Sequence, residues 1–281
     1  MTKRKKIAVI GVGLLGGSLA LALKKKKGLE IVGWNHRASS RKKASRILKV
    51  MPTFEKAVEN ADVIVLCSHS STILPMLKQL KGLMHPQTLI MDVSSIKGRI
   101  VEAAQSIKGL EQHFVPCHPM AGKEKSGAEF ADALLYQNRY IFITPLRKNP
   151  ATLVRKAVQF WKSLGAKPVL MNANTHDKNV ALTSHLPHLL ASAFVQLYGT
   201  QEKRSKQIKM AVGSGFKDFT RIAASNPSMW SDILEMNSRE VLSYLSQYRR
   251  QLSLLEKNLK KGKRSFWRSF FEKGRTLREK L

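Results

Sequence analysis

Short apolar runs rich in β-branched and aromatic residues recur along the first 171 residues, with helical stretches between them. Runs of this length, bounded by Gly, Pro and polar residues, are typical of buried strands. The pattern predicts strands at residues 7–11, 30–34, 62–67, 88–93, 113–117, 140–144 and 167–171. Because strands that alternate with helices form βαβ units, we expect an α/β fold with a doubly wound, mostly parallel sheet.

The strand pattern stops at Asn172, and the rest of the sequence shows the apolar spacing of helices. A long helical stretch covers residues 176–200, where Pro187 is expected to kink the helix. A Gly-containing break follows at residues 212–218, and a leucine-spaced stretch covers residues 240–259. We therefore predict an α/β domain at residues 1–171 and an all-helical domain at residues 172–281.

The first predicted strand runs into a glycine-rich turn that opens a helix. Gly11, Gly13 and Gly16 form the pattern G-x-G-x-x-G in this setting. The first glycine permits a tight turn, the second lets the backbone approach a pyrophosphate, and the third lets the helix pack closely on the strand. N–H groups at the start of the helix favour the phosphates. The sequence predicts a Rossmann-type dinucleotide site at Gly11, Gly13, Leu14, Leu15 and Gly16. A turn of purely structural role is the alternative.

The end of the second predicted strand indicates which dinucleotide binds. Sites for NAD normally place a carboxylate there, which accepts hydrogen bonds from the ribose 2′-hydroxyl. This chain instead carries Asn35, His36 and Arg37, followed by Arg41. A carboxylate would repel a 2′-phosphate, whereas arginine binds one through charge-assisted hydrogen bonds. We predict cofactor contacts from Asn35, His36 and Arg37 and favour NADP over NAD. The alternative is that these are only exposed basic residues.

The composition is strongly basic, with 49 Lys and Arg against 19 Asp and Glu and a formal net charge of +30. Such a charge raises the question of a polyanion partner. The basic residues are scattered over the whole length, and no nucleic-acid-binding signature or series of stacking aromatics accompanies them. We therefore expect a solvated basic surface suited to anionic ligands, and we do not expect nucleic acid binding.

Other features of the sequence bear on location and metal content. Two cysteines, no signal-peptide pattern and no 18-residue apolar run to span a bilayer predict a cytoplasmic protein without membrane contact. His185 and His188 share a helical face, but no carboxylate-rich or Cys-rich set accompanies them, so we predict no metal site.

The C-terminal tail places four aromatic residues opposite a Lys/Arg-rich face: Phe266, Trp267, Phe270 and Phe271. A membrane-surface helix is one interpretation of this pattern. We favour a terminal amphipathic helix that packs its aromatic face on its own domain or on a sister subunit.

Two candidate catalytic segments lie where predicted strands end, the place where doubly wound folds put their chemistry. Ser95 lies in DVSSIK at the end of the strand at 88–93, and His118 lies in HPMAGKEKSG after the strand at 113–117. Histidine exchanges protons near neutral pH, and a neighbouring serine hydroxyl can orient it or the substrate. Taken alone, His118 could equally be a structural histidine.

Together with SHLPH at 184–188 and GFKDFTRIA at 215–223, these segments resemble the prephenate dehydrogenase family, which includes arogenate and cyclohexadienyl dehydrogenases. GVGLLGGS, DVSSIK, HPMAGKEKSG, the His176-Asp177 pair, SHLPH and GFKDFTRIA follow the family's order over essentially the whole chain. The resemblance implies a dinucleotide domain and a helical domain through which two subunits form a homodimer. It implies oxidative decarboxylation of prephenate to 4-hydroxyphenylpyruvate, or of arogenate to tyrosine, with hydride transfer to NAD(P) in tyrosine biosynthesis.

The resemblance also implies roles for individual side chains. His118 matches the family's catalytic histidine, which accepts a hydrogen bond or proton from the substrate hydroxyl. Ser95 matches the serine that bonds the same hydroxyl. Arg221 matches the arginine that binds a substrate carboxylate, and Asp218, three residues earlier, would share its helical face. His188 matches a histidine of the substrate pocket.

The sequence departs from the family pattern at three positions. Lys123 stands where the family often has a small hydroxyl residue, and we expect it to attract a substrate carboxylate. Ser214 interrupts the glycines before FKDFTR, and Asn35 replaces the usual acidic residue.

Two other functions remain open at this point. A β-hydroxyacid or imine-type reductase shares the domain plan and predicts a catalytic lysine or aspartate on the interdomain helix, where Asp177 and Lys178 stand. A non-catalytic regulatory protein could use the same dinucleotide domain. It would not need His118, Ser95 and Arg221 together.

Overall fold

The computed structural model describes residues 4–123 and 125–280. Its first sheet has six parallel strands in the order β3-β2-β1-β4-β5-β6. They are β1 (Lys5–Ile10), β2 (Leu29–Trp34), β3 (Lys49–Val50), β4 (Val63–Leu66), β5 (Leu89–Asp92) and β6 (Phe114–Val115). This order reverses between β1 and β4, which creates a crevice at the carboxyl ends of the two strands. The fold class expected from the sequence is confirmed.

A second, three-stranded sheet continues from the first. It consists of β7 (Cys117–Pro119), β8 (Tyr140–Ile143) and β9 (Lys167–Leu170), with β7 antiparallel and β9 parallel to β8. The expected single strand at 113–117 is therefore wrong, because the chain changes sheet at Pro116. The carbonyl of Pro116 accepts from Thr144 N, and Pro116 itself has no N–H to continue the first ladder.

Helices cover both faces of the parallel sheet. They are α1 (Leu14–Lys24), α2 (Ala38–Ala44), α3 (Phe54–Val58), α4 (Ser70–Leu80), α5 (Gly98–Gln105) and α6 (Ala151–Lys162). Side chains alternate between two cores, so that Val9 of β1 packs with α1 and α6, while Ile10 packs with α3, α4 and α5. The strands are buried on both sides, which explains their continuous apolar runs.

From Ala173 onward the described chain is helical. Its helices are α7 (Ala173–Val180), α8 (Leu186–Arg204), α9 (Ser214–Thr220), α10 (Pro227–Met236), α11 (Ser238–Lys260) and α12 (Arg264–Arg278). A five-residue π-helical segment, Ala181–His185, joins α7 to α8. Pro187 lies two residues after the end of this segment and lacks the N–H that Thr183 O would accept in a regular α-helix. The change from strand to helix falls between Leu170 and Ala173; the division into domains at 171 and 172 stays a prediction.

The continuous helix Ala173–Arg204 is long and apolar enough to cross a membrane by length and composition, with a mean hydropathy of 1.2 in its best window. The expectation that no such stretch exists is wrong, because the residues between Val180 and Leu197 include no charged side chain. Only 28% of that window is buried in the single chain. An apolar helix surface left open in one chain is also what a subunit interface requires. The cytoplasmic location stays a prediction.

The aromatic tail residues lie on α12. No residue of α12 is buried, and Phe266 contacts Trp267 and Phe270 of the same helix. Phe266 and Trp267 are half-buried and the other residues of α12 are exposed, so packing of this helix on its own domain stays a prediction. Packing on a sister subunit stays a prediction.

Candidate active site

The glycine-rich turn lies between β1 and α1. Gly11 has a φ of +96°, and a Cβ there would lie 2.6 Å from Cys67 O, so only glycine fits beside β4. A Cβ on Gly13 would meet no atom within 4 Å, which leaves open space above the turn. Gly16 packs against Val9 and Cys67, so α1 lies close to the sheet. Leu14 and Leu15 form the first turn of α1. This shape fits a dinucleotide pyrophosphate, which needs free N–H groups and no side chain in the way.

The segment after β2 lies beside this turn. Asn35 is buried, and its Oδ1 accepts from Val12 N at 2.5 Å. Arg41 Nη1 donates to the carbonyls of Asn35 and His36, at 2.9 and 2.8 Å. The side chains of His36 and Arg37 are exposed. The side chains of Asn35 and Arg41 therefore hold the backbone of this segment in place. His36 and Arg37 lie exposed at the edge of the dinucleotide crevice.

The carboxyl end of β5 carries a buried polar cluster: Asp92, Ser94 and Lys97. Lys97 Nζ forms an ion pair with Asp92 Oδ2 and lies 3.0 Å from Ser94 Oγ, which itself donates to Asp92. The side chains of Lys97 and Asp92 are fully buried. Asp92 Oδ1 accepts from Cys117 N at 2.9 Å. This hydrogen bond ties β5 to the start of β7, one residue before His118.

His118 is buried on β7 and makes contact with the first helix of the helical region. Its Nδ1 lies 2.8 Å from His176 Nε2, and His176 Nδ1 lies 2.8 Å from Asp177 Oδ1. His176 is fully buried. We call His118, His176 and Asp177 the imidazole network.

Hydrogen-bond directions in the imidazole network follow from its carboxylate end. Asp177 as a carboxylate only accepts, so His176 Nδ1 donates to it and His176 Nε2 must accept. His118 Nδ1 then donates to His176, which leaves a lone pair on His118 Nε2. The network therefore fixes His118 in the tautomer that accepts a proton at Nε2.

Both histidines of the network are held neutral. Burial, with smaller contributions from His176, Lys97 and His185, lowers the pKa of His118 well below its ordinary value. Burial also lowers the pKa of His176, although the hydrogen bond that His176 donates to Asp177 opposes this shift. A neutral His118 is a hydrogen-bond acceptor across the whole neutral pH range.

Asp177 also joins the network to the start of α5. Its Oδ1 accepts from Lys97 N at 2.9 Å, and its Oδ2 accepts from Gly98 N at 2.7 Å. A Cβ on Gly98 would lie 2.8 Å from Asp177 Oδ2, so glycine permits this approach. The carboxylate at a helix N-terminus is stabilised by these N–H groups.

A second histidine pair lies on the same long helix. His185 Nδ1 accepts from Asn237 Nδ2 at 3.1 Å, and burial lowers the pKa of His185 to about 4. His188 Nδ1 donates to Ser184 O at 2.8 Å, and its ring stacks on Trp230 at 3.8 Å. Burial lowers the pKa of His188 too. Because Nδ1 of His188 donates to Ser184 O, Nε2 is the ring nitrogen that can accept a hydrogen bond.

The other expected site residues are more exposed. Ser95 is half-buried in the turn after β5, beside the polar cluster. Asp218 and Arg221 lie on and just after α9, and both are exposed in the single chain. Lys123 Nζ pairs with Asp132 at 3.2 Å on the loop after β7. The structure brings His118 and Ser95 to one edge of the sheet, and the substrate roles of Arg221, Asp218 and Lys123 stay predictions.

From the sequence, the His176-Asp177 pair was recognisable only as a family motif, Asp177 had a possible role only under the reductase alternative, and Lys97 had no expected role. A histidine followed by an acid at the start of the interdomain helix was the signal for this network. Asp177 is occupied by His176 and two backbone N–H groups, and Lys178 is exposed. That arrangement disfavours the catalytic lysine or aspartate of the reductase alternative.

Comparisons with known proteins identify the family of this chain. A family model described as prephenate dehydrogenase, nucleotide-binding domain, matches residues 19–170, and prephenate dehydrogenase, dimerization domain, matches residues 172–273. Prephenate dehydrogenase of Lactococcus lactis subsp. cremoris is 33% identical over 99% of this chain and 77% of its own length. The crystal structure of prephenate dehydrogenase from A. aeolicus with hydroxyphenyl propionate and NAD+ superposes with a TM-score of 0.86, at 27% identity over 98% of both chains. Synechocystis arogenate dehydrogenase superposes with a TM-score of 0.81, at 28% identity over 98% of this chain and 99% of its own. This chain therefore belongs to the prephenate dehydrogenase family, NAD(P)-dependent oxidoreductases that oxidatively decarboxylate prephenate or arogenate in tyrosine biosynthesis.

Proposed function

We propose that this chain oxidises prephenate to 4-hydroxyphenylpyruvate, with His118 Nε2 as the acceptor for the proton of the ring hydroxyl. The observation that carries this proposal is the direction of the imidazole network. Asp177 orients His176, and His176 orients His118, at 2.8 Å in each step. The result is a neutral histidine with its lone pair fixed at the carboxyl edge of the sheet.

The glycine-rich turn fits a nicotinamide dinucleotide, because the space above Gly13 is open and the N–H groups that begin α1 lie beside it. The bound nicotinamide supplies the acceptor for the hydride. The crevice between β1 and β4 would hold the dinucleotide next to β5, where Ser95 and the polar cluster lie.

The reaction needs a residue that takes up a proton and gives it back. As the C–H bond at the hydroxyl-bearing carbon breaks, that oxygen becomes carbonyl-like and its proton moves to His118 Nε2. The C–C bond to the ring carboxylate then breaks, carbon dioxide leaves, and the ring becomes aromatic. The phenolic oxygen recovers the proton from His118, so no proton is left over. The positive charge on His118 in between is stabilised by His176 and Asp177 through their hydrogen bonds.

The remaining expected residues position the substrate. Ser95 would donate to the same ring oxygen, and His188 Nε2 would line the pocket. Arg221 and Lys123 would attract the two carboxylates of prephenate. Arogenate replaces the keto group by an ammonium group, which cationic side chains repel. This charge argument favours prephenate.

We propose NADP as the preferred dinucleotide. The end of β2 has no carboxylate, Arg41 holds the backbone of Asn35 and His36, and Arg37 is exposed beside them. An exposed guanidinium at this edge can bind a 2′-phosphate with two hydrogen bonds.

We also propose a homodimer formed through the helical region. Large apolar side chains are exposed there in the single chain, among them Leu197 at 57% and Phe271 at 69%. The match to a dimerization domain over residues 172–273 supports this proposal. Obligate interfaces bury apolar surfaces of this kind.

The test is the appearance of reduced nicotinamide at 340 nm with prephenate and with arogenate, each with NADP and with NAD. We expect turnover with prephenate, and a His118→Asn variant should lose about 10²- to 10⁴-fold in kcat while it binds dinucleotide normally. His85→Asn is the matched control, since His85 is exposed and hydrogen-bonds to Asn60 at the far edge of the sheet. No turnover with either substrate and either dinucleotide would falsify the proposed activity. Unchanged turnover in His118→Asn would refute the role of His118.

A further inference from the structure

We propose that the buried ion pair of Lys97 and Asp92 is a positioning device for His118, which fixes both the strand that carries it and the charge state of its ring. The proposal rests on the proposed function of His118. It concerns two residues that do not touch the reacting atoms.

The geometry shows that this segment holds His118 from two sides. Asp92 Oδ1 accepts from Cys117 N at 2.9 Å, which fixes the backbone directly before His118. The backbone N–H groups of Lys97 and Gly98 donate to Asp177, which holds His176 against the His118 ring. The six residues from Asp92 to Lys97 therefore reach the histidine both through its strand and through its hydrogen-bond partner.

The ion pair is not explained by stability alone. Both side chains are fully buried, and the cost of removing two charges from water is of the same order as their attraction. A pair of apolar side chains of similar volume would fill this space at no greater cost. Asp92 also accepts from Ser94 N, Ser94 Oγ and Cys117 N, so its carboxylate has hydrogen-bond donors other than Lys97. The charges of the pair act instead on the neighbouring rings of the imidazole network, in which His118 must stay neutral in order to accept a proton.

The charges around His118 show what Lys97 contributes. The groups that act on the ring of His118 are His176 from α7, His185 from the π-helical segment and Lys97 from the end of β5, while Asp177 and Asp92 act on the neighbouring ring of His176. Burial is the largest cause that lowers the pKa of His118, and Lys97 lowers it further. Lys97 also lowers the pKa of His176, whereas Asp92 and Asp177 raise it. The lysine therefore offsets two buried carboxylates that would otherwise favour an imidazolium.

Three variants separate this role from a structural one. Lys97→Met leaves Asp92 unbalanced, so the pKa of His118 should rise by roughly one unit. Asp92→Asn leaves the positive charge of Lys97 unbalanced and should lower the pKa of His118. Lys97→Met with Asp92→Asn removes both charges and should return it toward the wild-type value. Lys178→Met is the matched control, because Lys178 is exposed next to Asp177 and should shift nothing.

The primary measurement is an NMR titration of the histidine ring protons, with the His118→Asn spectrum as the assignment. It needs no turnover, so it decides this proposal even if the proposed activity fails. The second measurement is the acidic limb of the kcat/KM profile, which should move to higher pH in Lys97→Met. A His118 pKa that stays within about 0.2 units in a folded single variant overturns the proposal. If neither single variant folds, Lys97→Gln is titrated in their place, because it also removes the positive charge but keeps a polar side chain, and a His118 pKa that stays within about 0.2 units there overturns the proposal.

Discussion

Asp177→Asn is the most direct perturbation of the imidazole network. The carboxylate accepts three hydrogen bonds, from His176 Nδ1 at 2.8 Å, Lys97 N at 2.9 Å and Gly98 N at 2.7 Å. Asparagine keeps the shape, but one oxygen becomes an amino group that only donates. If the amino group faces Gly98, two donors meet there. If it faces His176, His176 must accept at Nδ1 and donate at Nε2. His118 Nδ1 would then accept, so the proton of His118 would lie on Nε2 and the lone pair there would be lost.

The magnitude follows from the bonds that change. A hydrogen bond to a charged group contributes about 1.5–3 kcal/mol. If that difference appears in the transition state, where His118 carries the proton, kcat should fall by roughly 10- to 160-fold. The dinucleotide dissociation constant should not change, because Asp177 lies on α7 and the glycine-rich turn lies between β1 and α1.

The assay is steady-state turnover at 340 nm beside dinucleotide binding and thermal unfolding. Asp232→Asn is the matched control, since Asp232 also joins the two halves of the chain, through Ser71 Oγ at 2.5 Å, but lies outside the network. Both variants should unfold at a lower temperature than wild type, but only Asp177→Asn should also have a lower kcat. A folded Asp177→Asn protein with kcat within about twofold of wild type refutes the tautomer argument.

Four further predictions follow from the same structure. Gly13→Val should weaken dinucleotide binding about tenfold or more by placing methyl groups in the open space, with little change in unfolding temperature; normal binding by titration contradicts this. Because the pKa of His118 is lowered, kcat/KM should fall only when the pH drops below the ordinary histidine range, and a limb near or above pH 6.5 contradicts it. Arg37→Asp should shift the kcat/KM ratio of NADP to NAD toward NAD by about tenfold, and an unchanged ratio removes the argument for NADP. Phe270→Ser with Phe271→Ser should move the protein toward a monomer in sedimentation if α12 packs on a sister subunit, and an unchanged dimer excludes that packing.

Local pattern was sufficient for most strands and for the glycine-rich turn. Residues 88–93 were expected as a strand and β5 spans Leu89–Asp92, because a strand buried on both faces must be apolar throughout. The pattern missed β3, which has only two residues and exists through its pairing with Val32 and Gly33. It also merged β6 and β7. Pro116 interrupts the first ladder and was a local signal, but the pairing of β7 with β8 is a tertiary contact that the local pattern does not show.

The same distinction between local sequence pattern and tertiary contact applies to the candidate site. Ser95 and His118 follow predicted strands, so their shared edge of the sheet could be expected from topology. His176 is 58 residues from His118 in sequence, and only the packing of α7 against β7 brings their rings to 2.8 Å. Lys97 could not be recognised as buried from its residue type, since lysine is among the least often buried residues. Asp92, its carboxylate partner, lies five residues earlier in the sequence, but a spacing of five residues in a turn does not predict contact between two side chains.

The imidazole network joins the strand region of this chain to its helical region. His118, the proposed proton acceptor, belongs to the strand region, while the residues that set its tautomer, His176 and Asp177, belong to the first helix of the helical region. Asp177 in turn is held by the N–H groups at the start of α5, which return to the strand region. Small shifts between the two regions would lengthen these hydrogen bonds and weaken the tautomer preference before they affect the glycine-rich turn. We therefore expect dinucleotide binding to survive perturbations that abolish proton transfer, and the tests on His118→Asn and Asp177→Asn measure the two separately.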